Sequence, residues 1–102
     1  NDDYREIDVL NEVAFLCMDL DASERPDLSE LFINTYNSIL PAMTSEGDSQ
    51  LFIYYKCYRA NVRAKVSSLR AKSAIDVHIR RFALDETARY LHLMNQYLAL
   101  LH

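Results

Sequence analysis

The chain has 102 residues, half of them apolar and a quarter charged, with a single Gly and two Pro, which excludes a disordered, collagen-like or low-complexity protein and allows one domain with a modest core. Its net charge of −4 conceals an asymmetry, because residues 1–50 carry −10 and residues 51–102 carry +6, so the two halves attract each other. No stretch approaches the roughly 18 apolar residues of a membrane span, and the charged start Asn1 to Glu6 does not resemble a signal peptide.

Gly47, Pro26 and Pro41 are the only strong turn signals, far fewer than a β-sandwich of this length requires. The prediction is an all-α fold of about four to five helices, in one domain over residues 1–102. The first helix is expected from about Ile7 to Leu20, with Asp8 as its cap. Val9, Leu10, Val13, Ala14, Leu16, Cys17, Met18 and Leu20 cover most of its circumference, so the helix should be nearly engulfed. Asp8, Glu12 and Asp19 remain as a narrow acidic stripe within roughly 40° of arc, with Phe15 beside them.

A turn with Ser23, Arg25 and Pro26 leads into a second helix, where Asp27 and Glu30 have the spacing of a capping box. Leu28, Leu31, Phe32, Thr35 and Ile39 form its apolar face. Pro41 is expected to stop it, and Ala42 to Ser49 reads as a loop.

The third helix, about Gln50 to Lys72, presents Leu51, Tyr55, Tyr58, Val62, Val66 and Leu69 on one unbroken face. A second face of smaller residues carries Ile53, Cys57, Ala60 and Ala64. Between them lies a basic stripe of Lys56, Arg59, Arg63 and Arg70, within roughly 60° of arc. Asn61, Lys65, Ser68 and Lys72 fall on the remaining side, the expected solvent side. A short amphipathic helix, Ala74 to Phe82, should follow, then a final helix from about Asp85 to Leu101. Leu84, Ala88, Leu91, Met94, Leu98 and Leu101 share a face of that last helix, with Tyr90 and Tyr97 adjoining.

Reactive groupings are sparse. Asp8 and Glu12 stand four residues apart, a spacing that suits a divalent cation or acid–base work, but no further ligand completes a set and the reading is a structural stripe. His78, His92 and His102 lie apart, without zinc-binding spacing. Cys17 and Cys57 sit in apolar periodic segments, the behaviour of buried thiols in a reducing, cytoplasmic setting, with a disulfide between them as the alternative. No glycine-rich loop is present to hold a phosphate. The basic stretch Lys56 to Arg81 invites a nucleic-acid reading, yet Arg59 and Arg63 are hemmed by apolar faces and an acidic helix is at hand to meet them. The expectation is therefore an internal charge seam in which Arg59 and Arg63 pair with Asp8, Glu12 and Asp19, and no nucleic-acid partner.

Two segments, YREIDVLNEVAFLCMDLDASERPDL (Tyr4 to Leu28) and YYKCYRANVRAKVSSLRA (Tyr54 to Ala71), together resemble the C-lobe helices of bacterial aminoglycoside-phosphotransferase-like kinases. The resemblance covers most of the chain to about Ala71 and thins after it. It implies a parent kinase using ATP and Mg, in which Asp8 and Glu12 to Phe15 match the helix that follows the metal-binding segment. That family's catalytic-loop motif, metal-binding Asp, glycine-rich loop and lysine strand find no counterpart here. The implied role is a non-catalytic fragment, without catalytic, cofactor-binding or metal-binding residues of its own, whose partner is the rest of the parent kinase domain. A free-standing helical protein-interaction module is the alternative, and an exposed apolar surface would also allow self-association.

Overall fold

The computed structural model describes residues 2–39 and 46–101, with side chains described for 9–35 and 47–101. Four helices and no strand occur among them: α1 (Asp2–Ala22), α2 (Pro26–Ile39), α3 (Glu46–Ser73) and α4 (Val77–Leu100). The long antiparallel pair α3 and α4 makes the most extensive contact, α1 lies against α3, α4 and α2, and α2 packs on α1.

Asp8 does not cap α1, because the backbone is already helical from Asp2. The residues ahead of Asp8 contain no helix breaker and begin with acids, which suit the positive end of a helix. The helix ends in a Schellman arrangement. Arg25 N–H donates to the Leu20 carbonyl and Glu24 N–H to the Asp21 carbonyl, both at 3.1 Å, and Glu24 takes the left-handed conformation with φ 61°. A side chain with a Cβ is strained there by about 1 kcal/mol relative to glycine. Glu24→Gly is therefore expected to raise stability by about 0.5 to 1 kcal/mol, read as a higher urea midpoint.

Pro26 then opens α2 at the one helical position where its missing N–H costs nothing. Asp27 is inside that first turn, so the expected capping box does not form. Its carboxylate instead accepts two bonds from the Arg25 guanidinium, each 3.1 Å, which lowers its pKa below the usual carboxylate range. Among the described residues α2 makes its close backbone contacts with α1, so its inward side is narrow. Ser29 is buried, Phe32 and Ile33 are partly so, and Leu31 is 62% exposed. Ile39 and Pro41 fall outside the described side chains.

α3 starts at Glu46, so Gly47, Asp48 and Ser49 belong to the helix rather than to the expected loop; residues 42–45 lie outside those described. Its two apolar faces are buried unequally. The small face is the buried one: Cys57, Ala60, Ala64, Ser67 and Ala71 form a 3-4-3-4 seam against α4. Tyr58, Val66 and Leu69 on the larger face are more than half exposed. Small side chains let two long helices approach closely, and this contact takes precedence over hydrophobicity summed along a face.

The two helices expected over 74–82 and 85–101 are one. Asp76 caps α4, accepting from the backbone N–H groups of His78 at 2.8 Å and Ile79 at 3.2 Å, and nothing between Phe82 and Asp85 breaks the helix. Ala83, wholly buried, is where α4 rests on α3. The buried line of α4 is Ala83, Tyr90, Leu93 and Tyr97. The tyrosines thus belong to the core, while Leu84, Leu91 and Leu98 are 51%, 42% and 50% exposed.

Two adjoining cores result. Met18, Ala22, Cys57, Ala60, Ala64, Tyr90, Leu93 and Tyr97 join α1, α3 and α4, and Leu10, Val13, Ala14, Cys17 and Phe52, flanked by Phe32 and Ile33 of α2, join α1, α2 and α3. The expected engulfing of α1 is incomplete, because Val9, Glu12 and Leu16 form an open line on its outer side.

Candidate functional site: the polar seam between helices α1, α3 and α4

On α1, Leu10, Ala14, Cys17 and Asp21 follow each other at 4-3-4 spacing, so the helix carries a carboxylate along its core line. Asp21 is met there by Lys56 of α3, whose Nζ lies 2.8 Å from Oδ2, the two side chains being only 13% and 15% exposed. The Tyr97 hydroxyl of α4 donates to the same oxygen at 2.5 Å. The ammonium also sits 4.7 Å from the Tyr97 ring centre and 5.5 Å from that of Phe52, a cation held against two aromatic faces. Burial, followed by the bond to Asp21, raises the Tyr97 pKa well above that of an ordinary phenol. One carboxylate oxygen thus receives both a cation and a hydroxyl where three helices meet.

Next along the seam, Arg59 Nε lies 3.9 Å from Asp19 Oδ1. Although both side chains are partly exposed, those two atoms face inward and have no hydrogen-bond partner, so the pair is in register but not closed. The guanidinium rests 5.0 Å from the Phe15 ring centre. Arg63 turns the other way, donating to the Tyr90 hydroxyl at 3.4 Å with its guanidinium 5.6 Å from that ring. This bond, ahead of other causes, raises the Arg63 pKa further. Arg89 closes the end of the seam with a 3.2 Å bond to the Ala22 carbonyl, one of the orphan acceptors at the end of α1.

The expected pairing of Arg63 with Glu12 is corrected by these positions. Leu10 and Val13 neighbour Phe52, whereas Met18 and Ala22 neighbour Cys57 and Ala60, so α1 and α3 run in the same sense. Glu12 and Arg63 then lie on opposite sides of the Asp19–Arg59 contact, roughly 16 Å apart along the helices. Helical periodicity gives the angular sector of a side chain and says nothing of its level along a neighbour. Glu12 is exposed, and the side chain of Asp8 is outside those described. Asp21 and Tyr97 were absent from the expected seam; the discoverable signal was an Asp continuing the apolar line of α1.

The chemistry open to this seam is limited. Among the described residues no three His, Cys, Asp or Glu side chains gather closely enough to hold a metal ion. Cys17 and Cys57 are free, buried thiols whose pKa values are raised by burial, each directed at a main-chain carbonyl 3.9 Å away, of Ser29 and Met94 respectively. Such thiols are poor nucleophiles. No helix among the described residues is long and apolar enough to cross a membrane. The basic stretch divides: Lys56, Arg59 and Arg63 belong to the seam, but Lys65, Arg70, Lys72, Arg80 and Arg81 are exposed, so confinement between apolar faces applies to the first three only.

The chain is 38% identical over 72 residues to uncharacterised proteins of Mycobacterium bovis and of Mycobacterium tuberculosis, a match that takes in 68% of this chain. It spans 13% of the length of those relatives. No protein-family profile matches it, and neither does any solved structure.

Proposed function

We propose that this chain is a non-catalytic, scaffolding part of a larger protein, and specifically the helical C-lobe portion of an aminoglycoside-phosphotransferase-like, ATP-dependent kinase. The observation that carries the scaffolding reading is excess surface. The accessible area is 7078 Å² for 11.9 kDa, against about 6,000 Å² for a compact monomer of that mass. The radius of gyration is 15.2 Å, against about 13 Å for a compact domain of this length. The difference of about 1,100 Å² is of the order that one partner contributes to a stable interface. The kinase reading rests on the resemblance of Tyr4 to Leu28 and Tyr54 to Ala71.

In this reading α1 lies directly behind the catalytic segment. The open line Val9, Glu12 and Leu16 is the surface that segment would cover, and the Asp21–Lys56–Tyr97 group holds α1 at a fixed angle to α3 and α4. ATP and Mg belong to the rest of the parent, as does the acceptor site that α1 and α2 would help to wall, in a cytoplasmic protein. The test is calorimetry of the chain with Mg-ATP. No heat of saturable binding is expected, and binding in the micromolar range would overturn the reading by revealing a nucleotide site within these residues. The rival reading, a free-standing interaction module, predicts an upstream reading frame without a catalytic-loop motif or a nucleotide-binding lobe.

A further inference from the structure

The side of the α3–α4 pair turned away from α1 has a composition of its own. Between the helices runs a groove of about 480 Å³ whose floor and walls include Ala64, Ser68, Leu69, Thr87 and Leu91, with Lys65 on its edge. Leu84, Leu91 and Leu98 recur every seven residues, the repeat that keeps side chains on one side of a helix, and all three are open to solvent. Leu69 faces them from α3 and is 66% exposed. Beyond the groove, towards the tip of the hairpin, Lys72 and Arg80 are also exposed, with one Arg80 nitrogen donating to the Ala74 carbonyl at 2.7 Å. The acids nearby are already engaged: Asp76 caps α4, and Asp85 faces Arg81 at 3.9 Å.

From this arrangement we infer that the groove is a docking site for an acidic amphipathic helix of a separate protein. A helix lays its apolar side into such a groove through residues spaced three, four and seven apart. The leucines and Leu69 receive that side, and Lys65, Lys72 and Arg80 select glutamate or aspartate at its margins. Charge decides between occupants. A second copy presenting the same face would bring the same three cations to the seam, which opposes pairing. A nucleic acid would need cations along the middle of the groove, where the lining is instead uncharged. This site is on the opposite side of α3 from the surface assigned above to the kinase parent, and stands or falls separately.

The experiment is a titration of the isotope-labelled 102-residue chain, followed by amide chemical shifts. The probe is a synthetic helical peptide of about five turns with leucine on one side and glutamate flanking it; a second peptide has lysine in place of each glutamate. Saturable shifts centred on Lys65, Leu69, Thr87 and Leu91 are expected with the first peptide, together with binding at least about tenfold weaker for the second. Leu91→Glu should weaken binding about tenfold or more. Lys65→Glu should weaken it severalfold and flatten its salt dependence. Both residues are exposed, so the variants should keep the wild-type circular dichroism, and each checks the other. The inference is overturned if neither peptide shifts these amides, if both bind equally, or if shifts fall on α1 and α2. It is equally overturned if duplex DNA or phosphatidylserine vesicles occupy the groove more tightly than the acidic peptide, or if the chain dimerises through Leu91.

Discussion

Asp21→Ala is expected to lower the stability of the chain by roughly 2 to 4 kcal/mol, one of the two largest effects of a single substitution here. Removing one partner of a buried ion pair leaves the other charged and poorly solvated, at a cost of about 3 to 5 kcal/mol. The range is set lower because Asp21 and Lys56 keep 13% and 15% of their side-chain surface. Lys56→Met retains the packing over Phe52 and Tyr97 but strands the carboxylate. The double variant, in which both charges are gone, should recover much of the loss. Urea denaturation of the two singles and the double gives the coupling, expected at about 1 to 3 kcal/mol. Additive losses below about 1 kcal/mol each would place this pair with ordinary surface bridges.

The same group carries a pH signature. Tyr97 has its pKa raised from the ordinary value of 10.0 by burial and by its bond to Asp21. A group whose pKa is raised by folding contributes stability that is complete below its unfolded pKa. That contribution is lost as pH climbs past about 10 towards the folded value, because the unfolded chain releases the proton first. Stability should therefore fall above about pH 10, and Tyr97→Phe should remove that part of the slope in urea midpoints measured from pH 8 to 11.

Met18→Ala is the second large effect, expected at about 3 kcal/mol within a range of 2 to 5. Met18 is wholly buried where α1 meets α3 and α4, among Ala22, Cys57, Ala60, Tyr90 and Tyr97. Two of these neighbours are alanines on rigid helices and two are tyrosines fixed by hydrogen bonds, so the site cannot collapse around the lost side chain. In a domain of about 100 residues each kcal/mol shifts the midpoint by 4 to 8 °C, so calorimetry should show a fall of well over 10 °C. Met18→Leu, which conserves volume, should cost less than about 1.5 kcal/mol. A fall of only a few degrees for the alanine variant would mean that α1 is loosely held.

Helix content, the absence of strands among the described residues and the membership of Leu10, Val13, Ala14, Cys17 and Met18 in the core were legible from composition and a period of 3.6. These properties depend on contacts within one helix, where the order of residues sets the geometry. Of the acidic stripe, Asp19 meets Arg59, while Glu12 lies with Val9 and Leu16 on the open side of α1. What sequence could not supply was anything that depends on two helices at once. The level at which α1 lies along α3 places Arg63 on Tyr90 rather than on Glu12. The close approach of α3 to α4 over Cys57, Ala60, Ala64 and Ala83 buries the small face and leaves Tyr58, Val66 and Leu69 outside. That approach also fuses the last two expected helices, since Ala83 at the contact offers no reason to break. Asp21 marks the boundary between the two kinds of information. Its place on the core line of α1 is plain in the sequence, but that Lys56 and Tyr97 arrive there to satisfy it was decided by packing, because only the folded chain brings residues 56 and 97 within hydrogen-bond length of residue 21.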